Sequence, residues 1–410
     1  MTVAVIGGGV VGRAVALSLA RRGERVTMID AAGPGRGSAA SWGNAGHLAT
    51  EQVAPLASPA TIRSVPRRLF VRGGALDLPL SQAATWLPFA LRLLAASTPR
   101  RFEAGSAALR GLLAAAIPAW RRLAAAADVA DLVREEGHFV AWPDAASAAA
   151  GIAGWQAADT GTARFEAAGE ADLARLRALS PQVAAAIRFA GSGQIADLDR
   201  LAQALDAALA AAGVETVCDT AELVRDGGRV AIRGIAADRI VVAAGVGSAA
   251  PMAAAGHRVP LIAERGYHIR GRADRWPRDL PPVVFEDRSI IVTRYADSVQ
   301  VAGFVELGRA GAAPDPRKWA RLERHVAELG LPVAGPYRRW IGARPTLPDY
   351  LPAIGRSTRA GNLYYAFGHQ HLGLTLAAVT GELVADLMTG GAPAIDLSPF
   401  AIDRFRKMMP

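Results

Sequence analysis

A strand, a glycine-rich turn, a helix and a second strand open the chain, and this order restricts the fold more than any other feature. Residues 3–8 read VAVIGG, which is typical of a short buried strand. A helical pattern follows from Val10 to Arg22, and residues 26–30, VTMID, form a second strand. This order predicts a βαβ unit of the kind that binds dinucleotides.

The turn carries Gly-x-Gly-x-x-Gly, and each glycine has a physical purpose in such a unit. Gly7 permits the tight turn, Gly9 lets the backbone approach a pyrophosphate, and Gly12 lets the helix pack closely on the strand. The positive end of the helix dipole attracts the pyrophosphate. Asp30 ends the second strand, where a carboxylate binds ribose hydroxyls and disfavours a 2′-phosphate. We predict that these four residues bind a cofactor.

The segment after the second strand favours FAD over NAD, which the fingerprint alone does not separate. NAD enzymes usually continue with further βαβ units, and none is apparent here. Residues 33–60 instead form a loop rich in glycine and alanine, which allows the backbone to pass close to a long, buried cofactor. An NAD-dependent dehydrogenase remains the alternative at this point.

Six further segments, in order, give the chain a family resemblance over nearly its whole length. It resembles the FAD-dependent D-amino acid oxidase and dehydrogenase family, which includes glycine oxidase and sarcosine oxidase, and looks most like the bacterial D-amino acid dehydrogenases. The segments are SWGNAGH (41–47), EEGHFVAW (135–142), GQIADLDRLAQAL (193–205), ADRIVVAAGVGS (237–248), WIGARPTLPDYLPAIG (340–355) and GHQHLGLT (368–375). The chain departs from the family at Leu198, where a proline is common, and at His371, where glycine oxidase has an arginine.

The resemblance implies an α/β fold, α+β overall, with two domains. One is a Rossmann-like FAD-binding domain of the glutathione-reductase type, assembled from residues 1–82, 187–258 and 341–410. The other, residues 83–186 and 259–340, is a substrate-binding domain built on an antiparallel sheet plus helices. The residues alone agree in part, since 223–234 read as a hairpin with its turn at Asp-Gly-Gly, and short β-branched runs between 266 and 307 suggest antiparallel strands.

The resemblance also implies further contacts to FAD, which we expect to be bound non-covalently. They come from the segment at 41–47, the turn after the strand at 237–248, and the segments near 342 and 368–375. The implied cofactor-binding residues are Ser41, Asn44, Ala45, Gly46, Ala244, Gly245, Gly342, Gly368, Leu372, Gly373, Leu374 and Thr375.

Arg344 is the leading candidate for substrate binding. A guanidinium presents two parallel donors to a carboxylate, and the resemblance implies that Arg344 holds the substrate's α-carboxylate over the flavin. A surface salt bridge is the alternative. The resemblance also places Tyr267 on a strand that faces the substrate, although a core aromatic residue fits the pattern equally well.

His371 and His47 are the remaining catalytic candidates. His369 and His371 form a His-x-His pair, but no third and fourth ligand stand at metal spacing, so we predict no metal site. The loop instead leads into a helix whose N-terminal N–H groups can stabilise a reduced flavin. His47 follows the flavin-facing segment, where it contacts substrate, packs in the core or, as in some relatives, attaches the flavin covalently.

Charge and apolar runs bear on partners and location. The net charge of +9 suits an anionic cofactor, substrate or membrane, while no basic run with interleaved aromatics suggests nucleic acid. The lone cysteine, Cys218, indicates a reducing compartment, so we expect a cytoplasmic location. Residues 86–94 and 109–123 combine apolar side chains with arginines, which predicts peripheral contact with the inner face of the cell membrane near a quinone acceptor. Packing on the substrate domain is the alternative.

These observations predict FAD-dependent oxidation of a D-amino acid or a cyclic secondary amino acid such as D-proline or D-hydroxyproline. The Cα–H leaves as hydride to the flavin, driven by the lone pair of a neutral amine, so catalysis is mostly positioning. A glycine- or sarcosine-type oxidase that uses oxygen, and a non-catalytic flavin-bound binding protein, are the alternatives.

Overall fold

The computed structural model describes residues 1–33 and 39–408 of the chain. The strands are β1 (Thr2–Ile6), β2 (Arg25–Ile29), β3 (His47–Leu48), β4 (Leu76–Asp77), β5 (Val133–Arg134), β6 (His138–Trp142), β7 (Arg164–Ala167), β8 (Ala185–Ala190), β9 (Gly193–Ile195), β10 (Glu215–Val217), β11 (Leu223–Asp226), β12 (Arg229–Ile232), β13 (Arg239–Val242), β14 (Ile262–Arg272), β15 (Val283–Phe285), β16 (Ile290–Arg294), β17 (Ser298–Gly308), β18 (Ala334–Thr346), β19 (Ala353–Arg356) and β20 (Leu363–Phe367). The helices are α1 (Val10–Ala20), α2 (Pro59–Arg68), α3 (Ala83–Ala96), α4 (Pro99–Ala126), α5 (Ala145–Ala157), α6 (Glu170–Leu179), α7 (Leu198–Ala211), α8 (Ala249–Ala254), α9 (Pro316–Glu328) and α10 (Gly373–Thr389).

A six-stranded sheet forms the centre of the first domain, in the order β10-β2-β1-β13-β20-β19. All its neighbours pair in parallel except β19, which is antiparallel to β20. Alternate residues of β1 enter different cores: Val3 and Val5 pack with α1, α4, α7 and α10, whereas Ala4 and Ile6 pack with α8 and the β11–β12 hairpin. The predicted βαβ unit and hairpin are therefore present, and α1 ends at Ala20, just before the turn at Gly23.

A nine-stranded, mostly antiparallel sheet forms the second domain, in the order β18-β14-β17-β16-β15-β6-β8-β7, with β4 beside β17. Among the described strands of this sheet, the β15–β6 and β17–β4 pairs are parallel and the others are antiparallel. Residues of α6 and α9 close one core against this sheet, as shown by Leu176 and Leu322. The predicted antiparallel sheet with helices is confirmed.

The sheets place the domain boundaries differently from the prediction. Strands β8 and β18 both belong to the nine-stranded sheet and run through the predicted boundaries at 186/187 and 340/341. Strand β4 pairs with the substrate-domain sheet although it was predicted in the FAD domain. Helix α4, predicted in the substrate domain, packs instead with α10, and the Trp120 indole donates to the Leu374 carbonyl oxygen at 2.9 Å.

Burial of α4 also corrects the predicted membrane contact of residues 109–123. Its apolar side chains, such as Leu112 and Ile117, lie in the core rather than at the surface. The arginines of this run are exposed and paired: Arg121 binds Glu135 and Arg122 binds Glu382.

One helix among the described residues, Gln370–Thr389, is long and apolar enough to cross a membrane, and 72% of its apolar window is buried inside the protein. It packs against α1 so closely that a Cβ on Gly381 would lie 2.6 Å from the Ala14 carbonyl oxygen. This helix therefore belongs to the core of the first domain.

Candidate active site

A cavity of about 900 Å³ lies between the two sheets, near the upper end of the range for cofactor pockets. Its walls come from the turn after β1, the segment 39–47, β14, β18 and the loop before α10. The predicted site residues that line it are Gly7, Gly9, Asp30, Ser41, Asn44, Ala45, His47, Ala244, Gly245, Tyr267, Gly342, Arg344, His371, Gly373 and Leu374.

Of the three glycines in the Gly-x-Gly-x-x-Gly turn, Gly9 leaves room for a ligand, whereas Gly7 and Gly12 do not. A Cβ on Gly7 would lie 2.5 Å from the Ala243 carbonyl oxygen, and a Cβ on Gly12 would lie 1.8 Å from the Gly7 carbonyl oxygen. Gly9 has its nearest protein atom, the Ser41 hydroxyl oxygen, 3.4 Å from such a Cβ. Gly7 and Gly12 therefore fix the strand–helix contact, while Gly9 opens the end of α1 to the cavity.

Asp30 lies at the end of β2 where a nucleotide ribose is expected. Its carboxylate accepts hydrogen bonds from the N–H groups of Gly8 and Ala32. A carboxylate has about four acceptor positions, so acceptor capacity remains for ribose hydroxyls. The open helix end, the glycine cradle and this carboxylate fit the adenosine and pyrophosphate parts of FAD.

Side chains of the second domain hold the carbonyl groups of the flavin-facing segment. Tyr295 donates its hydroxyl to the Asn44 carbonyl oxygen at 2.7 Å, and Gln300 donates to the same oxygen at 3.0 Å. The His268 ring nitrogen Nδ1 lies 3.1 Å from the Gly43 carbonyl oxygen. Within the segment, the Asn44 side chain accepts from Gly46 N–H, and Gly46 has a positive φ of 75°. The cofactor segment is thus fixed by the substrate-domain sheet.

Trp340 fills the space above two glycines of the cavity wall. A Cβ on Gly43 would lie 2.2 Å from its indole ring, and a Cβ on Gly342 would lie 1.9 Å from it. The same indole stacks on His268, with ring centroids 4.8 Å apart. Any larger residue at either glycine would displace this aromatic pair.

Arg344 projects into the cavity from β18 and forms an ion pair with Glu264 of β14. The two residues are direct neighbours in the sheet, and Arg344 Nη1 donates to Glu264 Oε1 at 3.0 Å. The buried Glu264 also accepts from the hydroxyls of Thr346 and Tyr350. Burial and the neighbouring Glu264 raise the pKa of Tyr350 well above its usual value, so its hydroxyl stays a donor. The carboxylate fixes the position of the guanidinium.

The loop 368–375 leads into the N-terminus of α10, as predicted. Gly368 has a positive φ of 80°, and Leu372 N–H donates to the His369 carbonyl oxygen. Leu372 is buried in the core and Thr375 accepts from Ala49 N–H at 3.0 Å, so their side chains support the loop. Four predicted cofactor-binding residues besides Leu372 do not line the cavity: Gly12, Gly46, Gly368 and Thr375.

Four ionisable side chains gather beside this loop. Burial lowers the pKa of His371 and that of His47 to about 4, so both rings are neutral at pH 7. Burial raises the pKa of Glu51 to about 7, and His47 Nε2 lies 3.8 Å from Glu51 Oε1. The rings of His47 and His138 have centroids 4.4 Å apart. Glu51 and His138 were not predicted, because only the fold brings β6 beside the end of β3.

The absence of a metal site at the His-x-His pair, His369 and His371, stays a prediction. The His369 ring is buried, with Nε2 3.0 Å from the Thr380 hydroxyl. In the described part of the chain, His47, Glu51 and His138 instead bring three potential ligand atoms within 4.8 Å of one another.

The prediction that Tyr267 faces the substrate is wrong, because its hydroxyl does not lie on the substrate side of the sheet. On β14, Glu264 and His268 face Arg344 and Trp340, while Tyr267 points to the opposite face. There its hydroxyl donates to Glu306 at 2.8 Å within a buried ionic cluster. Tyr267 is therefore a core aromatic residue, and only its position on the strand borders the cavity.

Comparisons with known proteins agree with this geometry. Residues 2–387 match the profile of a family described as FAD dependent oxidoreductase (DAO). A D-amino-acid oxidase from Bradyrhizobium diazoefficiens is 34% identical, covering 98% of each chain. A D-amino acid dehydrogenase 2 from Ralstonia nicotianae is 32% identical, covering 98% of this chain and 100% of the relative. Glycine oxidase from Geobacillus kaustophilus shares the fold, with a TM-score of 0.71 at 23% identity over 98% of both chains.

Proposed function

The chain belongs to the family of FAD-dependent oxidoreductases, and we propose that it oxidises a D-amino acid or a cyclic secondary amino acid such as D-proline or D-hydroxyproline. Two similar proteins named as a D-amino-acid oxidase and a D-amino acid dehydrogenase support this substrate class. Bound FAD supplies the acceptor for the hydride that leaves Cα. The product is an imine, which hydrolyses to a keto acid or, from a cyclic amine, remains as a pyrroline carboxylate.

The pre-positioned Arg344 is the observation that carries this proposal. Its side chain is 28% exposed, toward the cavity, and its ion pair with Glu264 uses one of five N–H donors. Donors therefore remain for a substrate carboxylate. Because Glu264 is already buried and bonded, binding a carboxylate needs little reorganisation of the arginine.

The neutral His371 argues against an acidic substrate side chain. Burial lowers its pKa to about 4, so it adds no second cation beside Arg344 at neutral pH. A substrate with a second carboxylate would lose water without gaining an ion pair there. This disfavours acidic amino acids and is compatible with the cyclic, uncharged amino acids in the proposal.

Replacement of Arg344 tests the function directly. Removing one partner of a desolvated charge pair costs about 2–5 kcal/mol, so Arg344→Ala should lower kcat/KM by about 30- to 5000-fold while flavin content stays unchanged. Arg339→Ala is the matched control, because Arg339 lies on the same strand but pairs with Glu323 at the surface. A loss below about threefold in Arg344→Ala would refute the assignment. A screen of D-, L- and N-methyl amino acids with an artificial acceptor identifies the substrate.

We also propose that the electrons pass to a membrane quinone. Most of the exposed large apolar side chains lie close together in sequence, and we call them the apolar patch: Val71, Leu80, Leu87, Leu91 and Leu94. The last three share one face of α3 by their i, i+4, i+7 spacing. Trp86 and Leu93 are half-buried on its other side.

Exposed arginines lie close to the patch in sequence, on and after α2: Arg63, Arg67 and Arg72. Apolar side chains combined with cations suit an anionic lipid surface, where each cation near the surface contributes about 1 kcal/mol. The patch thus supports a peripheral location on the inner face of the cell membrane.

Sedimentation with anionic liposomes tests this location. Binding should occur at low salt and weaken in the Leu87→Ser/Leu91→Ser double variant. Val224→Ser is the control, because Val224 is also exposed but lies on the β11–β12 hairpin. The absence of liposome binding, together with rapid peroxide formation in air, would indicate an oxygen-using oxidase instead.

A further inference from the structure

We propose that Glu51 and His47 form a binding site for a protonated amine nitrogen of the substrate, in the same cavity as Arg344. This inference rests on the proposed function and names the groups that would bind the amine. Both residues line the cavity, and His47 Nε2 and Glu51 Oε1 stand 3.8 Å apart.

The pair is chemically incomplete without a ligand. In the part of the chain that the structure describes, His47 Nε2 and Glu51 Oε2 are buried without a hydrogen-bond partner. Glu51 is 2% exposed, and the hydrogen bond that its side chain accepts from Gln52 is long at 3.4 Å. A buried polar atom without a partner is destabilising, so a ligand that donates to both atoms would be stabilised.

The charge of the site calls for a cation. The ionisable groups around Glu51 are His47 on β3, His138 on β6 and, beyond His47, His371 before α10. Burial lowers the pKa of all three histidines, so none supplies a positive charge at neutral pH. Within residues 1–33 and 39–408, no lysine or arginine forms an ion pair with Glu51. The raised pKa of Glu51 reflects this uncompensated burial.

The spacing suits an N–H donor better than a metal ion. Zinc with ligands at about 2.0–2.1 Å holds tetrahedral donors roughly 3.4 Å apart, which is closer than the 3.8 Å between His47 and Glu51. An ammonium group forms hydrogen bonds of about 2.7–3.2 Å, so it bridges these two atoms without moving either. His138 is fixed behind them, because Nδ1 lies 2.8 Å from the Ser192 hydroxyl and its ring stacks on Phe189.

His371 connects this site with the carboxylate-binding end. It lies close enough to His47 to lower the pKa of that ring, and close enough to Glu264 and Arg344 to be affected by both charges. The bound nitrogen is either the α-amine or an amine on the substrate side chain. Where it is the α-amine, one N–H proton passes to a Glu51 oxygen, which leaves a neutral amine with its lone pair and a protonated Glu51.

Anaerobic mixing of the FAD-loaded enzyme with three ligands tests the site. The ligands are D-valine, D-lysine, and 3-methylbutanoate, which is D-valine without its amine. Kd comes from the saturation of flavin reduction for the amino acids and from the flavin absorbance change for the carboxylate. The variant is Glu51→Gln, with Glu135→Gln as the control because Glu135 forms a partly exposed pair with Arg121.

For an α-amine site, Glu51→Gln should weaken both amino acids at least about tenfold and leave 3-methylbutanoate within about twofold. For a side-chain amine site, only D-lysine should weaken by that factor. Equal affinities in wild type and variant overturn the inference alone, whereas no flavin reduction by any amino acid in the wild type overturns the proposed function as well. Stoichiometric binding of zinc that is lost in Glu51→Gln would show a metal site instead, and would overturn the inference.

A wild-type measurement decides the question if Glu51→Gln does not fold. Binding of an ammonium to ionised Glu51 requires loss of the Glu51 proton below pH 7. The ratio of D-valine affinity to 3-methylbutanoate affinity should therefore rise by up to about tenfold per pH unit between pH 5.5 and 6.5. A flat ratio overturns the inference.

Discussion

Three glycines allow cofactor binding to be separated from folding by one kind of substitution. In Gly9→Ala, the new methyl group lies 3.4 Å from the Ser41 hydroxyl oxygen, which is a tolerable contact for the protein. In Gly12→Ala, it lies 1.8 Å from the Gly7 carbonyl oxygen, so α1 must move to restore about 3.0 Å. In Gly228→Ala, no described atom lies within 4 Å of the new methyl group, and the residue lies in the β11–β12 hairpin turn outside the cavity.

The expected results differ for each variant. Gly9→Ala should keep the stability of the apoprotein but weaken FAD binding, because the methyl group occupies space that the pyrophosphate needs. An overpacking cost of about 1–3 kcal/mol corresponds to an FAD Kd raised about 5- to 150-fold. Gly12→Ala should destabilise the fold itself by about 3 kcal/mol or more, since backbone atoms must separate. Gly228→Ala should change neither quantity.

Reconstitution titrations of apoprotein with FAD give the Kd, and denaturant unfolding of the apoprotein gives the stability. FAD binding by Gly9→Ala as tight as that of the wild type would contradict the placement of the pyrophosphate at Gly9. Unfolding of Gly12→Ala at the wild-type denaturant concentration would contradict the close strand–helix contact at Gly12.

Three further predictions concern the buried charges and the flavin linkage. Lys318 is fully buried among three carboxylates, so Lys318→Met should lower the free energy of unfolding by about 3–5 kcal/mol. The control Arg175→Met removes an exposed ion pair and should lower it by less than about 1 kcal/mol. Equal losses for the two variants in denaturant titrations would contradict this prediction. Acidification of the apoprotein from pH 7 to 5 should lower the free energy of unfolding by about 2 kcal/mol for each of His47 and His371. Their pKa is about 4 in the folded protein, so in this pH range the unfolded chain binds a proton that the folded protein does not bind. Glu51 has the opposite effect on the free energy of unfolding, because its pKa of about 7 means that the folded protein binds a proton over this pH range. It should offset about 2 kcal/mol of the loss. Glu51→Gln should therefore make stability fall more steeply with decreasing pH in unfolding titrations. Acid precipitation should release the yellow flavin into the supernatant, and colour that stays with the pellet would indicate covalent attachment.

Local patterns were sufficient for the elements that form from contiguous sequence. The glycine turn, the strand ending before Asp30 and the hairpin closed by Asp226 and Arg229 all appear where the residues predicted them. Each depends on interactions between residues near one another in the chain. The family resemblance extended this to the cavity wall, because it supplied the order of the segments that meet there.

Side-chain direction and distant partners were not predictable in the same way. Tyr267 stands on the expected strand, but its hydroxyl binds Glu306 on the other face, and nothing near residue 267 reveals that partner. Glu51 and His138 meet only because β6 packs beside β3. Membrane contact was predicted for residues 86–94 as a run, and only the fold distinguishes exposed Leu87, Leu91 and Leu94 from the half-buried Trp86 and Leu93.

The two buried carboxylates of the cavity have opposite environments, and this difference separates a positioning group from a binding group. Glu264 is 1% exposed and accepts from Arg344 and from two hydroxyls, so its charge is balanced before any ligand arrives. Glu51 is 2% exposed, has no cation partner among the described residues, and accepts a hydrogen bond from Gln52 that is long at 3.4 Å. A protein gains nothing from an unbalanced buried carboxylate in its folded state alone, since the desolvation cost is not repaid. The desolvation cost is recovered when a cationic ligand binds. Glu51 is therefore the group that binds the substrate amine, and Glu264 is the group that positions Arg344 for the substrate carboxylate.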